Sequence, residues 1–498
     1  MKLKPEELWR GLKIEEFSGD PDLVPTGFTY DSRRAMPGDF FVCIEGYQHD
    51  GHDFISQAVA KGCKGVVVQR DVPVPPGVNR VRVADTRFAL SHLSAAFFAH
   101  PSRKLRLIGV TGTNGKTTTT HLIDAILRGA GFKTGLIGTI HNRIGDQVLP
   151  VERTTPESLD LHGLFHRMVA DGVDYCVMEV SSHALSLQRV AHCDFDVGVF
   201  TNISQDHLDF HRDMDEYFAA KKGFFTHLAQ LAGKKGPRAA VINVDDPRGR
   251  EIARQCPLAP LGYGVKGEPD LMALKVDIAP RGVKFTLRHG KKGIPLTLNL
   301  TGMFSVYNAL AAAGVGLVEG ISLASIARSL AAVTGVPGRF ENIDEGQDFS
   351  VIVDYAHTPD GLENILGAAA EFVRGRKILV FGCGGDRDRS KRPLMGRIAA
   401  LHADYVIITS DNPRSEEPAA IIADIEPGMK EGGKSKDEYE IIADRRRAIA
   451  AAIEMAQKDD MVILAGKGHE TYQIIGQEVI PFDDGEVARE VLRGKRKC

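Results

Sequence analysis

Short apolar runs bounded by turn residues open the chain. "GDFFVCIEG", "GVVVQ" and "NRVRVAD" have the length and β-branched content of strands. "TRFALSHLSAAFFAHPS" instead repeats its apolar residues at helical spacing, so residues 1–104 read as a small α/β domain. From "KLRLIGVTGTNGKTTTTHLIDAILRGAGF" onward the order is apolar strand, glycine-rich turn and amphipathic helix, with strands and helices alternating to about residue 337. That alternation predicts a βαβ-type domain with a parallel-rich sheet over residues 105–337. The glycines and proline of "TGVPGRFENI" mark the next boundary. Beyond it "FSVIVDYA", "RKILVFGC", "ADYVIIT", "EYEIIAD" and "DMVILAG" alternate with helical segments, which predicts an open, doubly wound, Rossmann-like sheet over residues 338–498. The fold class is therefore α/β in three domains.

Length agrees, because 498 residues exceed what one hydrophobic core serves and suggest about three domains. A net charge of -3 gives no general attraction to nucleic acid or anionic membrane, so the partners expected are small molecules held at local sites. No uncharged apolar stretch reaches transmembrane length, and "MKLKPEELWRGLKIEEF" is charged throughout, so a cytoplasmic protein without membrane insertion is expected, as a monomer. Seven cysteines stand singly, without CxxC or Cys/His clusters, which argues against a disulfide framework or a zinc site.

"GVTGTNGKTTTT" follows an apolar strand and opens a helix, where backbone N–H groups and the positive helix end hold polyphosphate. In such a loop Lys116 reaches the terminal phosphates and Thr117 ligates magnesium. The strict pattern asks for glycine at the position of Val110, so this is a variant. "VDYCVMEVSSHAL" ends a buried strand on Glu179, a charge that needs a cation such as magnesium or, alternatively, a helix start to cap. In "VFTNISQDHLDFH" the group Asn202, Asp206, His207, Asp209 and His211 makes His207 a candidate ligand, although each residue alone reads as a cap or a surface group. In "DEYFAAKKGFF", Lys221 and Lys222 are either a solvated pair or, with Lys221 inward and neutralised by burial, a site for carbon dioxide uptake as a carbamate.

The ordered series "TGTNGKTT", "EVSSHAL", "TNISQDHLDFH", "AAKKGFF", "GMFSVYNALAA", "GVPGRFE", "DYAHTPDGLE", "GGDRDRSKRPLMG", "DNPRSEEP" and "GKGHETYQ" resembles the Mur ligases, the amino-acid-adding enzymes of peptidoglycan synthesis. The resemblance extends from "TYDSRRAMPGDFFVCIEGYQHDG" to the last strand. It implies ATP binding by Gly112, Thr113, Asn114, Gly115, Lys116, Thr117 and Thr118, with Asn308 near the adenine and Arg339 and Asp354 brought onto the nucleotide. It implies magnesium held by Thr117, Glu179, His207 and a carbamylated Lys221. For a UDP-muramoyl dipeptide it implies Ser32, Tyr47, Gln48, His49, Thr154, Thr155, Ser181 and Arg189. One departure stands beside the last: several members carry Gln two residues before that arginine, where this chain has Leu187, with Gln188 adjacent.

Amide formation needs an activated carboxylate, and ATP supplies it as an acyl phosphate that an amine then attacks. His207, His357 and bound phosphate are candidates for the base that deprotonates the amine. In a doubly wound sheet, ligands bind beyond the carboxyl ends of the strands. "GGDRD", "DNPR" and "GKGHE" each follow an apolar strand, so Arg387, Asp411, Asn412, Pro413, Arg414, Gly466 and Glu470 are expected in one crevice. Arginines fork onto carboxylates while acids and amides hold ammonium, which suits an amino acid. "DNPR" looks like the form that adds meso-diaminopimelate, whose distal carboxylate Arg414 would pair, whereas lysine-adding members usually differ there. The alternatives are a lysine-adding or D-Ala-D-Ala-adding ligase, a folylpolyglutamate synthetase, or a nucleotide-binding regulator without turnover.

Overall fold

The computed structural model describes residues 4–46, 49–206, 210–230, 234 and 237–495. The chain divides into two compact units, one of residues 1–263 with 314–320 and one of 264–313 with 321–498.

The first unit holds two sheets. The N-terminal one has five strands in the order Ile14–Ser18, Asn79–Val83, Gly65–Val68, Phe40–Val42 and Phe28–Thr29, parallel except for the outer Ile14–Ser18. Helix Thr86–Phe97 starts at Asp85, whose carboxylate accepts from the Arg87 and Phe88 N–H groups and so satisfies two of the orphan donors of a helix start. In the second sheet, parallel strands Ala239–Asn243, Val197–Phe200, Arg106–Thr111, Tyr175–Glu179 and Thr134–Ile137 lie in that order. Their residues are buried almost without a break, as helices on both faces require of a parallel sheet. Two short antiparallel strands, Asn142–Ile144 and Gln147–Leu149, extend the edge beside Thr134–Ile137. At the foot of the central strand Arg106 pairs with Asp196 at 2.9 Å and Glu319 at 2.8 Å, tying strand 197–200 and segment 314–320 to it.

The second unit departs from the alternation expected up to residue 337. Leu271–Ala279, Gly282–His289 and Lys292–Leu298 form an antiparallel meander. The cause is legible after the fact, since burial alternates along these strands with period two, the mark of a sheet with one wet face. Farther on, the doubly wound sheet is present: Glu341–Asn342, Ser350–Asp354, Met461–Ala465, Lys377–Phe381, Tyr405–Ile408 and Tyr439–Ile441, all parallel except the first. Ile352, Leu379, Val406 and Ile463 face helices Pro359–Ala370, Lys391–His402 and Pro418–Glu431. Their neighbours Val351, Ile378, Ile407 and Val462 face helices Arg445–Met455 and Asp484–Lys495. The helix after "DNPRSEEP" does not end near Pro427 as its sequence suggests; it runs to Glu431 with that proline inside. Close packing against helix Lys391–His402 outweighs the lost backbone bond. No helix among the described residues is long and apolar enough to cross a membrane.

Candidate active site

Strand Arg106–Thr111 delivers the glycine-rich loop, and helix Lys116–Gly129 begins where the loop ends. Gly112 has φ 152° and a Cβ there would meet Thr201 Oγ1 at 1.9 Å, so only glycine lets the backbone turn this close to the neighbouring strand end. The loop is braced by that strand: Thr113 N–H donates to Asn202 O at 2.9 Å, and Asn114 N–H to Asn202 Oδ1 at 3.0 Å. Lys116 Nζ folds over the loop onto Gly112 O at 3.0 Å and Thr113 O at 2.7 Å.

Glu179, 1% exposed, ends the adjacent strand. Its carboxylate accepts from Thr117 Oγ1 at 3.0 Å, Thr139 N–H at 2.8 Å and Thr139 Oγ1 at 3.1 Å. Among the described residues these donors are all neutral, which leaves a buried negative charge beside the Thr117 hydroxyl. That donor set fits a hard divalent cation and disfavours the capping role. Lys221, also 1% exposed, projects from helix Met214–Gln230 onto Gly112 O at 2.9 Å and lies 4.5 Å from the Tyr217 ring centroid. Burial first, and then the neighbouring Lys116 charge, drives its pKa well below the usual lysine value. The solvated-pair reading therefore fails for Lys221. Its neighbour Lys222 is half-buried and pairs with Glu251 at 3.2 Å. His207, Tyr47 and Gln48 lie outside the described residues.

The residues expected to hold a muramoyl dipeptide form two groups. Ser32, in a one-turn helix after Asp31, donates to Gln57 Oε1 at 2.6 Å, and His49 is exposed beside Phe54. Closer to the phosphate loop, Thr154 Oγ1 contacts Thr139 Oγ1 at 3.0 Å, while Thr155 Oγ1 donates to Glu179 O at 2.9 Å. Ser181 caps a short helix, accepting from Ala184 N–H at 3.2 Å. Arg189 donates to Thr155 O at 3.1 Å. Leu187 is the C-cap residue of that helix and Gln188 turns the chain with φ 57°.

Residues that the sequence reading did not single out complete this group. Glu157 pairs with Arg189 at 2.9 Å and Arg153 at 2.7 Å, with Arg87 at 3.8 Å. Three guanidiniums share one carboxylate, which leaves excess positive charge suited to an anionic substrate. Thr139 was missed as well, since "GTIHN" carries no signal that its hydroxyl reaches a glutamate forty residues on.

In the second unit the three expected loops do meet. Their parent strands Met461–Ala465, Lys377–Phe381 and Tyr405–Ile408 are parallel neighbours, so the loops leave from one edge. Gly385 N–H donates to Asn412 O at 2.9 Å, Ser415 Oγ to Asp386 Oδ1 at 2.6 Å, and Asn412 Nδ2 to Glu470 Oε2 at 2.8 Å. Asn412 is 2% exposed and builds the site from within, its Oδ1 accepting from Ile474 N–H and Lys467 Nζ. Asp411 lies beside it, 8% exposed, and Gly466 takes φ 115° directly under its carboxylate. Arg414 follows Pro413, is half-buried and donates to Gly385 O at 2.8 Å, whereas Arg387 is exposed.

Glu416 and Ser415 prove structural. Buried Arg392 forks onto Glu416 at 2.8 and 2.9 Å, and Arg392 also holds Asp424 at 2.9 Å. The helix itself is capped by Glu417, without a side-chain bond. Lys467, fully buried between Asn412 and Glu470, was hidden in "GKGHE", where a lysine ordinarily reads as solvated.

Three of the residues expected at the nucleotide, Asn308, Arg339 and Asp354, belong to this unit. Asp354 accepts from Phe340 N–H at 2.7 Å and Ala356 N–H at 2.8 Å, and the Arg339 guanidinium lies 5.0 Å from the Tyr355 ring centroid. Asn308 is buried on helix Met303–Val318. The His357 ring is exposed, with Nδ1 on Tyr355 O at 2.8 Å.

A parallel α/β sheet that feeds a GKT loop into a helix, with a buried carboxylate on the adjacent strand, defines a nucleotide-binding protein of the P-loop type. Family models match three parts of the chain: the Mur ligase family catalytic domain at residues 25–98, the Mur ligase middle domain at 110–316 and the Mur ligase glutamate ligase domain at 338–468. The chain belongs to the Mur ligase family. It is 50% identical over 495 residues to a UDP-N-acetylmuramoyl-L-alanyl-D-glutamate–2,6-diaminopimelate ligase of Syntrophomonas wolfei, covering 99% of this chain and 100% of the relative. A protein of the same name from Caldanaerobacter subterraneus is 50% identical over 491 residues, covering 99% of each. A solved structure of a UDP-N-acetylmuramoyl-L-alanyl-D-glutamate–2,6-diaminopimelate ligase matches with a TM-score of 0.69 at 32% identity, covering 100% of both chains. The MurF ligase of Thermotoga maritima, solved in complex with ADP, shares the fold at a TM-score of 0.61 and 19% identity, over 96% of this chain and 100% of that one.

Proposed function

We propose that this ligase joins meso-2,6-diaminopimelate to the γ-carboxylate of D-glutamate in UDP-N-acetylmuramoyl-L-alanyl-D-glutamate, with ATP as the energy source, in peptidoglycan synthesis. The observation that carries the amine assignment is the Arg414 guanidinium, set by Gly385 O at the junction of three loops that also bears Asp411 and Glu470. Relatives at 50% identity bear the corresponding name. In this reading residues 1–104 bind the UDP-muropeptide, 105–337 bind ATP and 338–498 bind the amino acid.

Lys116 and the loop N–H groups cradle the phosphates. Thr117, Glu179, His207 and Lys221 as its carbamate would hold magnesium, which when bound supplies positive charge to the phosphate oxygens. Lys221 suits carbamate formation because a buried neutral amine is the nucleophile that adds carbon dioxide. Arg87, Arg153 and Arg189 draw the anionic dipeptide toward Thr154, Thr155 and Ser181. The γ-carboxylate oxygen attacks the γ-phosphorus, ADP leaves, and an acyl phosphate remains. The amine nitrogen of diaminopimelate then attacks the acyl carbon, phosphate departs, and a base takes the amine proton. Arg414 recognises the distal carboxylate of the amino acid, and Asp411 and Glu470 face its ammonium. An amine lacking that carboxylate leaves the guanidinium unpaired, the costly outcome that gives selectivity.

ADP release is the test, measured with UDP-muramoyl dipeptide and, separately, diaminopimelate, lysine and D-Ala-D-Ala. Diaminopimelate gives the highest kcat/KM; faster turnover with lysine overturns the amine assignment, and no ADP with any amine overturns the enzyme reading.

A further inference from the structure

We propose that Gln473 is a positioning residue that sets amine selectivity by locking the loop bearing Arg414. The proposal rests on the diaminopimelate reading above and extends it to a segment outside the crevice.

Arg414 has φ 52°, in the left-handed region that a side chain with a Cβ disfavours. Something must hold it there, and a hairpin does. Strands Tyr472–Ile475 and Glu478–Pro481 pair with each other as a separate two-stranded sheet, turning at Gly476 with φ 60°. Arg414 N–H donates to Ile474 O at 3.1 Å and Arg414 O accepts from Gly476 N–H at 2.7 Å, so the arginine's backbone is clamped from both sides. Two more bonds fix the residues before it: Ile474 N–H to Asn412 Oδ1 at 2.9 Å, and Gln473 Nε2 to Asp411 O at 2.7 Å.

Gln473 is 6% exposed, whereas Ile475 and Val479 on the same hairpin are 45% and 65% exposed. A two-stranded sheet with such exposed apolar residues contributes little core. Its four bonds to segment 411–414 are therefore its main connection to the amine crevice. Gln473 is the side chain among them that a substitution can remove while the backbone bonds stay possible. Without its bond the Asp411 carbonyl is released, the left-handed turn relaxes, and the guanidinium leaves Gly385 O.

The experiment uses the full enzyme with Gln473→Met, which keeps length and burial but removes the donor, and Gln473→Asn, which keeps the donor but shortens its reach. Steady-state ADP release is measured with diaminopimelate and with lysine, and repeated on Arg414→Ala. The expected result for both variants is a KM for diaminopimelate raised about tenfold, with KM for ATP and for the UDP-dipeptide unchanged. The kcat/KM ratio of diaminopimelate to lysine falls about fivefold or more, and Gln473→Met adds nothing on the Arg414→Ala background. A ratio within about twofold of wild type, a uniform loss for all substrates, or an effect additive with Arg414→Ala overturns the proposal. Wild-type enzyme that does not use diaminopimelate overturns the underlying reading instead, which separates the two failures.

Discussion

Lys116 and Lys221 donate to the same oxygen, Gly112 O, at 3.0 and 2.9 Å. Two ammonium ions on one carbonyl repel, and the charged form is disfavoured most for the one with no access to water. That is Lys221, at 1% exposure. A lysine whose pKa burial pushes down thus stands against the same carbonyl as the lysine of the glycine-rich loop.

Native intact-mass spectrometry of gently handled protein in bicarbonate is expected to show the added mass of one carbon dioxide, lost in Lys221→Ala. Lys221→Ala lowers turnover by about a hundredfold or more, the scale for losing one preorganised charge-stabilising group, and short-chain carboxylic acids restore part of it. An unmodified Lys221 together with no rescue would count against the carbamate.

Glu179→Gln keeps the bond to Thr139 Oγ1 within reach while removing the charge. Half-maximal ADP release then requires about tenfold or more magnesium, because a neutral amide is a far weaker ligand for a hard cation. A magnesium titration of the rate checks this, and an unchanged curve refutes the ligand role.

Arg189→Ala removes one of three guanidiniums around Glu157. KM for the UDP-dipeptide rises about tenfold, with KM for ATP unaltered, and the change shrinks at high salt as excess charge is screened. Equal effects on both substrates would point to a folding defect instead.

The Arg392 fork lowers the Glu416 pKa from 4.5 to about 2. A carboxylate depressed in the folded state contributes stability above its unfolded pKa and loses it as pH falls through the folded one. The melting temperature of wild type therefore exceeds that of Glu416→Gln near neutral pH, and the gap closes between pH 4.5 and about 2. Thermal scans across that range are the measurement; a gap independent of pH would show that the pair does not act through charge.

Local chemistry decided much of this protein in the sequence. The strand, GKT loop and helix at residues 106–129 are readable because glycine freedom, apolar run and helical period act over a few residues. The crevice was readable too, since three motifs placed after three parallel strands must share an edge. The sequence could not decide between a solvated and a buried Lys221, because its burial comes from elements a hundred residues away. Nor could it show that helix 418–431 continues through Pro427, which depends on packing against a neighbouring helix. Arg392, Glu157 and Gln473 look like surface residues in the text, and only tertiary structure buries them against the partners that make them matter. Periodicity and turn chemistry are local and survive in one dimension; the burial of a charge or an amide is set by the whole fold.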